Sequence, residues 1–105
     1  MYTTKPIREL DLFEFRELIK NKKVEISPHA LFHLSNKQRK IFKEEELIIT
    51  LEKETPRKIY LQENGRYAAY YRKSEGYREV ILEIKEATIT IVTFIATMEI
   101  PKKRP

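Results

Sequence analysis

Cysteine is absent from these 105 residues. That excludes disulfides, cysteine-bound zinc and a cysteine nucleophile, and it fits a cytosolic protein. Glycine occurs only twice, as Gly65 and Gly76. Both read as turns, so there is no Gly-rich phosphate loop, and the nucleoside-triphosphate and dinucleotide fingerprints are missing. No apolar run approaches the roughly 18 residues of a membrane span. The opening Met1-Tyr2-Thr3-Thr4-Lys5-Pro6 lacks the apolar centre of a signal peptide. The expectation is a soluble, cytoplasmic protein with no membrane partner.

What is present is charge. Charged residues make up 35% and hydrophobic residues 41%, a balance that folds around one core rather than staying disordered. A chain of this length forms one domain. Lys, Glu, Arg and Ile are abundant and Gln is scarce, a composition that resembles proteins from hot environments. The formal net charge is +5 and the pI about 9.4. A positive field favours acidic partners, nucleic acid or an acidic protein among them.

Along the chain, Asp11-Leu12-Phe13-Glu14 has the spacing of a capping box. Leu12, Phe15, Leu18 and Ile19 make the apolar stripe of a first helix. Val24-Glu25-Ile26 is short and extended, as an edge strand would be. Ser27-Pro28 starts a second helix, with Ser at the cap and Pro at the first helical position. Glu44-Glu45-Glu46 opens a third with acid at its positive end, and Thr55-Pro56 closes it. From Arg57 the period changes to two. Lys58–Gln62 and Arg66–Arg72 flank Asn64-Gly65, a two-residue hairpin signal that places Leu61 opposite Ala68 and Ile59 opposite Tyr70. Tyr77–Lys85 alternates, with Val80, Leu82 and Ile84 on one face. Thr88–Thr97 is rich in β-branched residues and reads as a central strand buried on both sides. The expected fold is α+β: N-terminal helices, about 11–54, packed on one face of a four-stranded antiparallel β-meander, about 57–97, with a basic tail at 101–105.

The only histidines, His29 and His33, are four residues apart on one helix and so share a face. A zinc site would need further ligands. No Cys or third His exists, and Ala30 holds the place where a zinc protease helix carries Glu, so neither metal nor cofactor is expected. A single imidazole in the first helical turn suits a different chemistry. There the helix dipole favours the neutral ring and a nearby phosphate, an arrangement fit for general acid/base cleavage of a phosphodiester. The hairpin strand Arg66-Tyr67-Ala68-Ala69-Tyr70-Tyr71-Arg72 interleaves arginine with tyrosine, as a base-stacking, phosphate-holding strand would. Arg78 falls with Val80 on the core face, where it should pair with a carboxylate or line a cleft. Thr93 offers a hydroxyl within the last strand.

Ser27-Pro28-His29-Ala30, Glu44-Glu45-Glu46-Leu47, Asn64 to Tyr71, Arg78-Glu79-Val80 and Ile91-Val92-Thr93-Phe94 together resemble a small prokaryotic domain family of largely unknown function related to the RelE/ParE-type toxins. The resemblance covers about residues 24–97. It implies a RelE-like fold and metal-independent endoribonuclease activity in a toxin–antitoxin setting. In that reading His29 is the general acid or base, Arg66 and Arg78 hold the scissile phosphate and Thr93 positions it. His33, Arg39, Tyr67, Tyr70 and Arg72 contact the RNA, and a protein antitoxin covers the cleft. The chain departs from the pattern in three places. His33 stands where such domains often carry Arg, and Arg39 matches their second basic residue only within a longer loop. The C-terminal end has Ile95, Met98 and Ile100 rather than a Tyr or His. Two other readings are a non-catalytic module that binds nucleic acid or protein, and an inert subunit of a larger complex.

Overall fold

The computed structural model describes residues 5–30, 44–74 and 76–98. Six strands form a single mixed sheet in the order β1-β3-β4-β5-β6-β2. They are β1 (Pro6–Glu9), β2 (Lys23–Ile26), β3 (Lys58–Gln62), β4 (Tyr67–Lys73), β5 (Gly76–Ile84) and β6 (Thr88–Thr97). The described helices are α1 (Leu12–Ile19) and α2 (Glu44–Lys53), and residues 28–30 are helical as well.

This corrects the expected four-stranded antiparallel meander beneath a block of N-terminal helices. Strands β3 to β6 do run antiparallel to one another in sequence order, but the N-terminal part interleaves strand, helix and strand. β1 adds antiparallel to β3, and β2 adds parallel to β6. The sheet therefore gains a strand on each side, and strand makes up 49% of the described residues against 25% helix. Pro6-Ile7-Arg8-Glu9 has one apolar residue and no alternation, so nothing local marks it as a strand. Its backbone pairs because β3 offers an open ladder, with Leu10 N–H donating to Ile59 O at 2.8 Å.

The hairpin register is also shifted by one residue. Leu61 faces Tyr67, Tyr60 faces Ala68 and Ile59 faces Ala69. The connection holds three residues, Glu63-Asn64-Gly65, closed by Gln62 N–H to Arg66 O at 2.8 Å. Gly65 takes a left-handed φ of 86°, the residue at which a three-residue loop forms its bulge. The Asn64 side chain accepts from Arg66 N–H at 2.9 Å, which holds that bulge rather than a two-residue turn.

The core lies between one sheet face and the helices. Asp11 caps α1 as expected, accepting from Glu14 N–H at 2.8 Å while the Glu14 carboxylate accepts from Asp11 N–H at 3.1 Å. The cap sets the helix so that Phe15 is buried. Leu47 and Leu51 of α2 and Ala30 of the helical residues 28–30 join it. Beneath them lie Ile59, Ala69, Tyr71, Val80, Leu82, Ile89, Ile91 and Phe94. A register shift between Ile81 and Leu82 pairs Leu82 with Ile91 and Ile81 with Thr93, leaving Val92 unopposed. This bulge lets Ile91 and Phe94 share the helix-covered face. β6 is thus covered on one side only: Ile95, on the opposite side, is exposed.

Candidate functional site

The sheet separates the residues that were expected to converge. Arg78 lies on the helix-covered face, directly opposite Tyr71. Thr93 pairs with Ile81 and so lies on the opposite face. Arg66 lies on that face too, its Nε 3.9 Å from Glu83 Oε2. His29 is exposed within the helical residues 28–30. Ser27 fixes that segment to β6, its hydroxyl donating to Val92 O at 2.9 Å and accepting from Ala30 N–H at 3.1 Å. His33 and Arg39 lie outside the described residues.

The tyrosines divide in the same way. Tyr67 packs half-buried against the helix-side core. Tyr70, on the other face, is only 3% exposed, so its ring has no free surface for a base. Its ring meets Tyr60 edge-on, 6.1 Å between centroids, and its hydroxyl donates to Glu79 Oε2 at 2.6 Å. Burial first, then the hydrogen bond to Glu79, raise its pKa far above the usual phenol value. Arg72 lies over the Tyr77 ring at 5.3 Å, where both can reach a ligand.

A polar cluster sits under α2 instead. Arg78, 8% exposed, donates from Nη1 to Thr50 Oγ1 at 3.2 Å. The Thr50 hydroxyl donates to Glu54 Oε2 at 3.2 Å. Lys73 Nζ donates to both Glu54 oxygens, at 2.8 and 3.0 Å. Burial lowers the Arg78 pKa, and the carboxylates of Glu46 and Glu54 oppose that. Burial also works to raise Glu54, but its bonds to Lys73 and Thr50 win and hold it below the ordinary carboxylate value. The Tyr71 hydroxyl is buried with no hydrogen-bond partner among the described residues, and burial raises it strongly. The hydrogen-bonded chain Arg78–Thr50–Glu54–Lys73 anchors α2 to β4 and β5. Of this set the sequence reading found only Arg78. Thr50 and Glu54 carried a signal, since they stand i, i+4 and Thr50 interrupts the apolar side of α2.

A groove of about 480 Å³ opens between α1, β2 and α2. Ile19, Val24, Leu51 and Ile89 form its apolar lining, with Arg16, Lys20 and Lys22 set against Glu17 and Glu52. Arg16 Nη2 donates to Thr55 Oγ1 at 3.2 Å and Lys22 Nζ to Lys85 O at 2.7 Å. No group of three or more His, Asp or Glu able to hold a metal occurs among the described residues.

The net charge is unevenly placed along the sequence. Of the 21 basic residues, seven fall in 31–43 and 99–105: Lys37, Arg39, Lys40, Lys43, Lys102, Lys103 and Arg104. Only Glu75 and Glu99 of the 16 acids lie outside the described residues. The described residues are therefore electrically balanced, and the whole +5 belongs to the remaining segments.

No family model, no curated protein and no solved structure matches this chain. The comparisons thus contain nothing that ties it to the RelE/ParE-type toxins. No described helix is long and apolar enough to cross a membrane.

Proposed function

We propose that this protein is a non-catalytic nucleic-acid-binding module that grips the phosphate backbone through its basic segments. The observation that carries this reading is the clustering of seven basic residues in 31–43 and 99–105, against one acid there, Glu99. Lys37, Arg39, Lys40 and Lys43 stand within seven residues of one another, and Lys102, Lys103 and Arg104 are consecutive. Such clusters displace the counterions of a polyanion, and that release drives sequence-independent binding. The distribution of the expected catalytic groups supports the same reading. Arg78 is engaged beneath α2 with Thr50, on the opposite face from Arg66 and Thr93, so the three do not surround one phosphate.

The endoribonuclease reading retains one supporting observation, the exposed His29 in the first turn of a capped helical segment. A single experiment separates the two. Labelled single-stranded RNA is incubated with the protein in EDTA, and both binding and chain length are followed for the parent and for His29→Ala. Binding without cleavage, equal in both proteins, is expected. Cleavage by the parent that His29→Ala abolishes would overturn the binding-module reading.

A further inference from the structure

We propose that two copies of this chain pair through the free side of β2, extending the sheet across a two-fold axis centred on Val24. Among the described residues no strand lies on the outer side of β2, which ends the sheet. The two edges are not alike. β1 begins with Pro6 and carries a register shift between Pro6 and Arg8, and both features obstruct pairing with another chain. β2 has neither. Its burial alternates, with Lys23 and Glu25 exposed and Val24 and Ile26 half-buried against the core.

The backbone restricts the register. Lys23 N–H donates to Ala87 O at 3.1 Å and Ser27 N–H to Ile91 O at 3.0 Å. Odd-numbered residues of β2 therefore spend their backbone groups on β6. Val24 and Ile26 turn theirs outward, since the groups of successive strand residues point to opposite sides. An antiparallel two-fold partner must match outward groups with outward groups. Centred on Glu25, the pairing would set two glutamates face to face, and like charges directly opposite destabilise. Centred on Ile26, it would run into Pro28, which has no N–H to give. Centred on Val24, it sets Lys23 opposite Glu25 of the second copy, and Glu25 opposite its Lys23. Those are non-hydrogen-bonded pairs, the closer kind. Val24 meets Val24, and Ile26 approaches the Lys22 stem of the second copy. Neither Lys23 nor Glu25 has an ion pair within the chain among the described residues. The strand is self-complementary in charge, backbone parity and shape, and its shortness makes the association weak and concentration-dependent.

Sedimentation equilibrium of the full chain tests this with Lys23→Glu, Glu25→Lys and the double exchange K23E/E25K. The parent should dimerise reversibly. Each single reversal should weaken the dimer by about tenfold. A mixture of the two single variants, and the double exchange alone, should regain parental affinity. A general effect of net charge would move the two single variants in opposite directions, and that result overturns the proposal. A parent that stays monomeric to about 1 mM, or single variants that associate like the parent, overturns it equally.

Discussion

Tyr71 and Arg78 stand directly opposite each other on β4 and β5, both on the face that α2 covers. The guanidinium reaches Thr50 Oγ1, whereas the Tyr71 hydroxyl has no hydrogen-bond partner among the described residues. A buried hydroxyl without a partner lowers stability by its desolvation cost. Tyr71→Phe should therefore leave stability unchanged or raise it by up to about 1 kcal/mol, as read from urea denaturation.

Arg78 plays the opposite part. Removing its head leaves Thr50 without its donor and takes away a cation that acts on Glu46 and Glu54, while Lys73 stays bonded to Glu54. Arg78→Met should cost about 2 kcal/mol. RNA affinity of the folded variant should match the parent, because this side chain is committed to the fold. A tenfold loss of affinity at full folding would give Arg78 a ligand-contacting role instead.

The Glu54 carboxyl is held below its ordinary value of 4.5, despite the opposing effect of burial, by Lys73 and Thr50. A carboxylate with a depressed folded pKa contributes stability that is present above the unfolded pKa and is lost as pH falls through the folded one. The side chain is 39% exposed, so solvent screens the interaction and about 0.5–1 kcal/mol is expected at neutral pH. Parent and Glu54→Gln should differ by that amount at pH 7 and converge below pH 4.5. A gap that persists in strong acid would assign the effect to packing rather than charge.

The two glycines should respond differently to alanine. Both have φ values that disfavour a Cβ, 86° at Gly65 and 102° at Gly76. At Gly65 nothing lies within 4 Å of the added carbon, whereas at Gly76 it would meet Thr97 O at 2.6 Å. Gly65→Ala should cost about 1 kcal/mol from backbone strain alone. Gly76→Ala should cost about 3 kcal/mol and loosen the end of β6. Thermal unfolding of the two variants gives the comparison.

The parts legible in the sequence were those carried by local signals. The Asp11–Glu14 capping box, Ser27 at its cap, the apolar faces of α1 and α2, and the placement of Arg78 beside Val80 all follow from spacing. What was not legible depended on distant partners. β1 has no pattern of its own and exists because β3 presents an open ladder. The hairpin register turned on whether the Asn64 side chain would hold a three-residue loop, a difference of one residue that changes every opposition. The bulge at Val92 placed Thr93 away from Arg78. Within the candidate cluster the i, i+4 spacing of Thr50 and Glu54 is visible, but Lys73 and Arg78 meet them only because α2 packs on β4 and β5, and no separation along the chain announces that.

The most direct test of the central claim is the salt dependence of binding to single-stranded RNA, measured by fluorescence anisotropy. The full chain is compared with a variant carrying Lys37→Gln, Arg39→Gln, Lys40→Gln and Lys43→Gln. If the basic segments hold the phosphates, log Kd for the parent rises with log salt by about 0.7 per phosphate contacted. The variant should then bind at least tenfold more weakly with a visibly shallower slope. Equal affinity and equal slope for the two proteins would contradict the account and turn attention to the Arg72–Tyr77 stack.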